Sequence, residues 1–441
     1  MPGISLAPGD NWNVASPTWQ RIDTTYNVQS FTVDRGRQNE MGRADTGTAT
    51  VELVDRVGAF DPTNSGGAFY NLGPGDQARI ELQNPVTSTW KTLFRGFVAS
   101  IQWVPYRRED HANVTLELAD GLAVLAACEM AATVLSPGVP RFGDEILEGN
   151  IIFHEDLLLN AVQTRINKVL DQAGWPAGLR SVFTGNVALQ ASPYPARTTI
   201  LTVLEDAAEA EFPDTALFFI GGPKNPGSFV FHGRLARFHP ATVEYDITTW
   251  QLGDDTAAAV SPTTVVRISP PLTASLDDTL LYTSAYCTPN DPTGLMTETD
   301  FSGQYVTDAA AAAKKGLRTW SAEGLYTRKG AATTTALAET KLFADYVRDN
   351  YKTPRVRVGQ LTIKARTPSG VNGTATWKLL TEVEISDIVH LKTTHTGGGG
   401  FNTDFYVEGI HYAARPGPGY PYVELTLDVS PKGYYDANPF G

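Results

Sequence analysis

The sequence predicts a mainly β protein with an α+β insertion between two β regions. Three observations predict this class: alternating apolar and polar segments near both ends of the chain, turn-forming clusters between those segments, and helical periodicity in the middle. The 441 residues include 40 Gly and 28 Pro, which favours short strands joined by many turns. A chain of this length has room for about three domains.

The first β region is predicted over residues 1–125. One of its segments runs Thr48-Ala49-Thr50-Val51-Glu52-Leu53, so that Ala49, Val51 and Leu53 share one face of a strand. A turn cluster, 71–76, separates two of the segments. Several short strands at this spacing predict a barrel or a sandwich. The predicted strands are 29–34, 48–54, 78–83, 97–103 and 114–118.

Residues 126–261 are predicted to form an inserted α+β accessory domain. A helix is expected over 154–173, because apolar residues recur there near a 3.6-residue period and Gly174-Trp175-Pro176 ends the pattern. A second helix is expected over 198–210, with Thr198 or Thr199 as its N-cap. The strand-like segments 216–220 and 228–235 complete this unit.

The last third of the chain is predicted to contain a connector and a second β region. Residues 262–330 are punctuated by Pro in their first half, contain a short helix over 309–313, and are interpreted as a connector that returns to the first β region. Residues 331–441 are interpreted as a helix, 335–350, followed by the second β region. Its predicted strands are 356–364, 377–380, 385–391, 405–412 and 423–429.

The charge and the cysteine content exclude several classes of function. A net charge of −13 argues against non-specific clamping of DNA phosphates, and it leaves open an acidic surface along which DNA slides without sticking. Cys128 and Cys287 are far apart and are expected to be reduced thiols, with no disulfide framework. The start of the chain has no signal-peptide pattern, and no apolar run approaches a membrane span of about 20 residues. We therefore expect assembly in a cytoplasm and no stable membrane association.

A search for reactive motifs predicts no catalytic residues, no metal ligands and no cofactor. The zinc-protease, phosphate-loop, dinucleotide and nucleophile-elbow patterns do not occur. His232 and His239 are seven residues apart, which fits exposed or hydrogen-bonded histidines better than a metal pair. The acid pairs Asp254-Asp255 and Asp277-Asp278 lie in turn-like sequence and are interpreted as turn caps or solvent-facing groups rather than a glycosidase pair. Aromatic residues on strands, Trp19 and Trp90 among them, are interpreted as core or interface residues rather than a sugar platform.

A local basic loop is the candidate docking element. Arg35, Arg37 and Arg43 lie close to Gly36 and Gly42. One interpretation is a solvated loop. The other is a loop that docks onto an acidic neighbouring subunit, because guanidinium groups pair well with carboxylates.

The segment that contains this loop resembles the start of minor tail proteins, or tail hubs, of long-tailed bacteriophages. There a Gly-Arg loop precedes a G-T-A-T-V strand and a D-R-x-G-x-F-D-P-T-N turn. Further resemblances follow in the same order along the chain, from Phe94-Arg95-Gly96 to Tyr406-Val407-Glu408-Gly409-Ile410-His411. The matching residues of the first segment are Gly36, Arg37, Gly42, Arg43, Gly47 to Val51, Asp55, Arg56, Gly58 and Phe60 to Asn64.

The resemblance implies a phage tail-hub architecture of two tail-tube-like β-barrel domains plus accessory domains. Such proteins form a homotrimer whose six barrels sit pseudo-sixfold on the tail tube or the distal tail ring, at the tail tip of the virion. The implied partners are that ring, the C-terminal end of the tape measure protein and other tail-tip or receptor-binding proteins, with DNA only in passage. The chain stops soon after Ser430-Pro431, so no C-terminal lysin is expected.

Two alternatives remain, one a different tail component and one from another class of protein. The first is the distal tail protein, which forms a hexameric ring and normally has a shorter middle. The second is a secreted carbohydrate-active β enzyme. The mass of the oligomer separates the three, since a trimer favours the hub, a hexamer the distal tail protein and a sugar-cleaving monomer the enzyme.

Overall fold

The computed structural model describes most of the chain. The described residues are 2–22, 27–104, 113–130, 144–147, 150–153, 162–185, 187, 189, 192–195, 197–213, 217–238, 245–254, 264–276, 278–291, 297–327, 333–365, 373–394, 399–415 and 422–435.

Strands dominate the described residues, and the mainly β class with an α+β insertion is confirmed. The strands are β1 Pro2–Ala7, β2 Gln20–Arg21, β3 Asn27–Gly36, β4 Asp45–Val54, β5 Gln77–Gln83, β6 Trp90–Trp103, β7 Asn113–Ala119, β8 Asp144–Leu147, β9 Asn150–Phe153, β10 Arg180–Val182, β11 Ser192–Pro195, β12 Leu217–Ile220, β13 Phe229–His232, β14 Thr249–Gly253, β15 Val265–Arg267, β16 Ala274–Ser275, β17 Ser284–Pro289, β18 Tyr305–Thr307, β19 Thr319–Leu325, β20 Arg357–Val358, β21 Gln360–Ala365, β22 Ile388–Lys392, β23 Asn402–Arg415 and β24 Tyr422–Pro431.

The helices lie mainly in the middle of the chain and beside the second β region. They are α1 Gly121–Ala127, α2 Val162–Gln172, α3 Ile200–Glu211, α4 Leu235–Phe238, α5 Glu298–Ser302, α6 Ala309–Lys315, α7 Thr333–Tyr351 and α8 Gly373–Glu382. Thr199 is the N-cap of α3, as predicted, and its side chain accepts a hydrogen bond from the Thr202 amide at 3.2 Å. The first part of the predicted helix 154–173 lies outside the described residues.

One large sheet joins the two β regions. Among the described residues it has thirteen strands, in the order β15-β14-β22-β23-β3-β4-β7-β6-β5-β1-β2, with β24 on β23 and β21 on β24. The central pairing is between β3, near the start of the chain, and β23, near its end, and it is antiparallel. Apolar side chains of both regions pack into one core beneath this sheet, Phe31 and Val51 with Leu425 and Leu427. The two ends of the chain therefore fold as one structural unit.

The accessory unit has a core of its own. Helices α2 and α3 pack on each other and cover the small sheet β10-β13-β12, with Val169, Leu204 and Phe231 inside. Trp175, from the predicted helix stop, is buried in this core, and its indole N–H donates to the Leu179 carbonyl at 2.8 Å. Burial of this aromatic ring fixes the helix end against the sheet.

The structure corrects the predicted path of the connector. Strand β15 lies next to β14, which pairs with β22 of the second β region, and β16 pairs with β20. Strand β17 pairs with β18 and β19 and packs against α7. The described strands of 262–330 thus pair with one another or on the side of the second β region. Apolar residues of β17, β18 and β19 share a core with Phe343 and Tyr351 of α7, whereas Val266 of β15 lies in the core beneath the large sheet.

Residues 377–380 form part of helix α8, so the predicted strand there is wrong. Trp377, Leu380 and Thr381 are spaced three and four residues apart and are all buried. A short apolar run fits a buried strand and a buried helix equally well, and tertiary packing decides between them. Here the helix fills the space under the large sheet.

Candidate functional site

The candidate site is the seam, which we define as the β3–β23 pairing and the side chains that meet there. In its register Asp34 lies opposite His411, and Gly36 lies opposite Gly409. The seam joins parts of the chain that are separated by almost its whole length. It therefore fixes how the first and second β regions are placed relative to each other.

The outer face of the sheet continues across the seam as one polar surface. Side chains that are opposite each other on neighbouring strands point to the same face. Ser100 and Glu117 are hydrogen-bonded on this face at 2.6 Å, and Lys364 pairs with Glu424 at 3.3 Å. One row of opposed residues crosses seven strands, through Lys364, Glu424, Ala413, Thr32, Thr50, Glu117 and Ser100. We call this surface the polar face.

A buried ion cluster lies at one end of the seam. Arg37 Nε is 2.8 Å from Glu408 Oε2, and Arg237 Nη2 is 2.9 Å from the same oxygen. The Ser430 hydroxyl donates to the other carboxylate oxygen. Burial alone would raise the pKa of Glu408, but the two guanidinium groups outweigh it and lower that pKa to about 2. The carboxylate thus ties β3, β23, β24 and the accessory segment together as a charged group.

A second buried ion pair connects the accessory unit to the seam. Arg35 Nη1 lies 3.0 Å from Glu384 Oε1 and also donates to the Ile220 carbonyl at 3.0 Å. The other oxygen of Glu384 accepts a hydrogen bond from the Gly222 amide at 2.6 Å. Charge-assisted hydrogen bonds of this length are among the strong ones in proteins. The turn after β12 is therefore held against both β regions.

Gly36 occupies a position that only glycine fits. Its φ is 97°, and a Cβ there would lie 2.3 Å from the Glu408 carbonyl oxygen. Both the left-handed backbone and the close approach of β23 exclude a side chain. The glycine between Arg35 and Arg37 is thus explained by strand packing at the seam.

The structure corrects the docking role predicted for Arg35 and Arg37. Their side chains are buried, with 4% and 2% of each residue exposed, in ion pairs with carboxylates of the same chain. A buried, paired guanidinium cannot also bind a neighbouring subunit. Arg43 is the exposed member of the predicted loop and contacts Glu205, at 3.6 Å, and Glu209 on α3. Its docking role stays a prediction.

His411 is held between two carboxylates on the polar face. Its Nδ1 is 2.8 Å from Asp34 on β3, and its Nε2 is 2.7 Å from Asp428 on β24. The hydrogen bonds to Asp34 and Asp428 raise the pKa of His411 to about 9, so the imidazole is protonated at neutral pH. The triad borders a shallow pocket of about 100 Å³ that is also lined by Asp45 and Thr46. The attraction between His411 and the two carboxylates links β3, β23 and β24 across the seam.

The other described residues that were considered for catalysis or metal binding make contacts that stabilise the fold. His232 is buried, and its Nδ1 lies 3.1 Å from the Ser386 hydroxyl; His239, Asp255 and Asp277 lie outside the described residues. Asp278 pairs with Arg318. In the described part of the chain, no group of three or more His, Cys, Asp or Glu side chains is placed to hold a metal ion. No described helix is long and apolar enough to cross a membrane.

Sequence reasoning missed Glu384 and Glu408, which organise the seam. Glu408 is the one charged residue in the otherwise apolar run 405–410, and a lone acid in such a run is a signal for a buried ion pair. Glu384 lies in the loop between α8 and β22, where nothing in the local pattern marks it.

Solved structures of tail proteins have the same architecture along their whole length. The tail protein from Neisseria meningitidis superposes with a TM-score of 0.54 at 10% identity, covering 99% of each chain. The 43 kDa tail protein of prophage MuSo2 from Shewanella oneidensis gives 0.53 at 13% identity, over 98% of this chain and 99% of that one. The chain shares the fold of these tail proteins. No family model and no curated protein matches the sequence.

Proposed function

We propose that this chain is a structural protein of a bacteriophage tail, and that three copies form the hub at the distal end of the tail. The observation that carries the proposal is the continuous polar face, together with the fold shared with two tail proteins. In this proposal the two β regions, joined in one sheet, take two neighbouring positions around the tail axis. Three chains then present six β regions to a sixfold tail tube or distal ring.

The strand edges at the two ends of the polar face support a closed ring. Strand β21 pairs with β24 alone among the described strands. Strand β6 pairs with β5 through its first half and with β7 through its second half, so Ser100–Trp103 has one described partner strand. Unpaired strand edges are templates for another strand. Contacts between two different edges of identical chains are head-to-tail and close into a ring when the rotation fits.

The chemistry of the polar face suits the bore of such a ring. Thr32, Thr48 and Thr50 alternate along and across the strands with carboxylates such as Asp34 and Glu117. Hydroxyls and carboxylates do not bind the phosphate backbone of DNA as arginine and lysine do, and Lys364 and His411 on this face are paired with carboxylates. We therefore propose that DNA passes this face during ejection without being retained. The tape measure protein and the adjoining ring are the proposed neighbours, and the role needs no catalytic step.

Native mass spectrometry and cross-linking of the purified chain test this function. The hub predicts a trimer of the 47.7 kDa chain, a hexamer favours the distal tail protein, and a monomer that cleaves polysaccharide favours the enzyme. A Thr362→Cys, Gln102→Cys double variant is expected to form intermolecular disulfides up to a trimer. Each single variant is the control. A trimer that does not cross-link through these edges would overturn the proposed ring geometry.

A further inference from the structure

Three arginines form a row across the strands at the far end of the large sheet. Arg21 on β2 and Arg79 on β5 both lie opposite Ser5 of β1, and Arg79 lies opposite Arg95 of β6. Opposed residues on antiparallel strands have their Cβ atoms about 5 Å apart, so like charges there repel each other. A fold that places three cations in one such row needs a compensating interaction.

Two tryptophans hold the guanidinium groups in place. The Arg21 guanidinium lies 3.7 Å from the ring centroid of Trp90. Those of Arg79 and Arg95 lie 4.6 Å and 5.6 Å from the ring centroid of Trp19. Stacking on an aromatic face stabilises a cation and restricts its rotamers. The row is thus preorganised, which lowers the entropy cost of binding an anion.

The carboxylate next to Arg79 does not balance the two positive charges of Arg79 and Arg95. Glu81 pairs with Arg79 at 3.4 Å. Arg95 donates to neutral acceptors, the Gln77 side-chain oxygen at 2.9 Å and the carbonyls of Val14 and Ala15 at 3.3 Å and 3.1 Å. Burial, together with the nearby Arg79, lowers the pKa of Arg95 to about 10, so the group stays charged at pH 7. The described surroundings supply Arg95 with hydrogen bonds but with no carboxylate.

The row lies next to an exposed sheet edge on an acidic protein. Strand β2 is the outermost described strand at this end of the sheet, and Gln20 and Arg21 are both exposed. The whole chain carries a net charge of −13, so a second copy offers a surplus of carboxylates. Opposite charges steer two copies towards each other and set their register.

We propose that this arginine–tryptophan row, made of Arg21, Arg79, Arg95, Trp19 and Trp90, is a docking site for a carboxylate-bearing segment of a second copy of the chain. The inference rests on the proposed self-assembly, and it names one surface through which two copies contact each other. A carboxylate from the second copy supplies the anion that Arg95 lacks within its described surroundings. The same contact covers the exposed β2 edge.

Sedimentation velocity of the full chain over a range of protein and NaCl concentrations tests the site. Arg95→Gln is expected to weaken self-association by about tenfold or more, the scale of one desolvated charge pair. Arg95→Lys keeps the charge and is expected to recover part of the affinity. Arg56→Gln removes an exposed arginine elsewhere on the first β region and is the matched control. Association of the wild type is expected to weaken as salt rises.

The outcomes separate this inference from the proposed function. Arg21→Gln, on the exposed edge, serves as a second variant if circular dichroism finds Arg95→Gln unfolded. If both variants form trimers with the affinity of the wild type, the docking site is overturned and the proposed hub is unaffected. A wild type that stays monomeric at every concentration would overturn both the docking site and the proposed trimeric hub. Binding of a DNA oligonucleotide that depends on Arg95, without self-association, would assign the row to nucleic acid instead.

Discussion

Arg37 and Glu408 form a buried ion pair across the seam, with Nε 2.8 Å from Oε2, although 371 residues of sequence separate them. Arg237 shares the same carboxylate oxygen. Removal of one member of a buried ion cluster leaves the others uncompensated, which costs far more than the loss of an exposed pair. This relationship explains why the two ends of the chain fold together.

Neutralising Glu408 should therefore destabilise the whole sheet. We expect Glu408→Gln to lower the free energy of unfolding by about 3–5 kcal/mol, because Arg37 and Arg237 lose their buried counter-charge. The control is Glu424→Gln, which removes the exposed pair with Lys364 on the polar face and should cost less than about 1 kcal/mol. Urea denaturation of both variants measures the difference. Equal losses would show that the seam cluster contributes no more than a surface pair.

His411 should make stability depend on pH in the alkaline range. Its pKa is about 9 in the folded chain against an ordinary value of 6.5, so the folded state binds the proton more tightly. The stabilisation is fully present below about pH 6.5 and is lost as the pH rises through about 9. Comparing the unfolding free energy of the wild type and His411→Gln between pH 6 and pH 9.5 checks this, since the gap between them should shrink as pH rises. A gap that is independent of pH would contradict the ion triad with Asp34 and Asp428.

A comparison of alanine substitutions at Gly36 and Gly75 separates the cost of backbone strain from the cost of close packing. Both have a positive φ, 97° and 94°, but a Cβ at Gly36 would lie 2.3 Å from the Glu408 carbonyl oxygen, whereas at Gly75 nothing lies within 4 Å. Gly75→Ala should cost about 1–2 kcal/mol for the left-handed backbone alone. Gly36→Ala should cost at least about 4 kcal/mol, since β3 and β23 must also move apart. Thermal denaturation of the two variants should rank them in this order, and similar midpoints would argue against close packing at the seam.

Glu384 should control how firmly the accessory turn is attached. Glu384→Ala removes the acceptor of the Gly222 amide and the partner of Arg35. We expect faster hydrogen exchange over residues 221–228, because local opening follows the loss of buried contacts. Asp404→Ala, which removes an exposed partner of His390 on the large sheet, is the control and should leave this turn unchanged. If exchange in the turn is the same in both variants, other contacts hold it.

The local parts of the fold were predictable, and the long-range pairings were not. Alternation predicted β4 and β7, and a threonine cap predicted the start of α3, because these signals lie within a few residues. The β3–β23 pairing and the Arg35–Glu384 contact join distant segments, and one sequence gives no measure of such proximity. For the same reason, Arg35 and Arg37 suggested an outward docking loop, although their carboxylate partners lie far away in the same chain. At 377–380, periodicity over four residues was too short to separate helix from strand.

Cryo-electron microscopy of tails purified from a phage whose genome encodes this chain tests the central claim most directly. The account predicts density for three copies in one ring at the distal end of the tail, with the row through Thr32, Thr50 and Glu117 facing the central channel. Particles with complete tails in which this chain is absent, or a ring whose polar face points away from the channel, would contradict it.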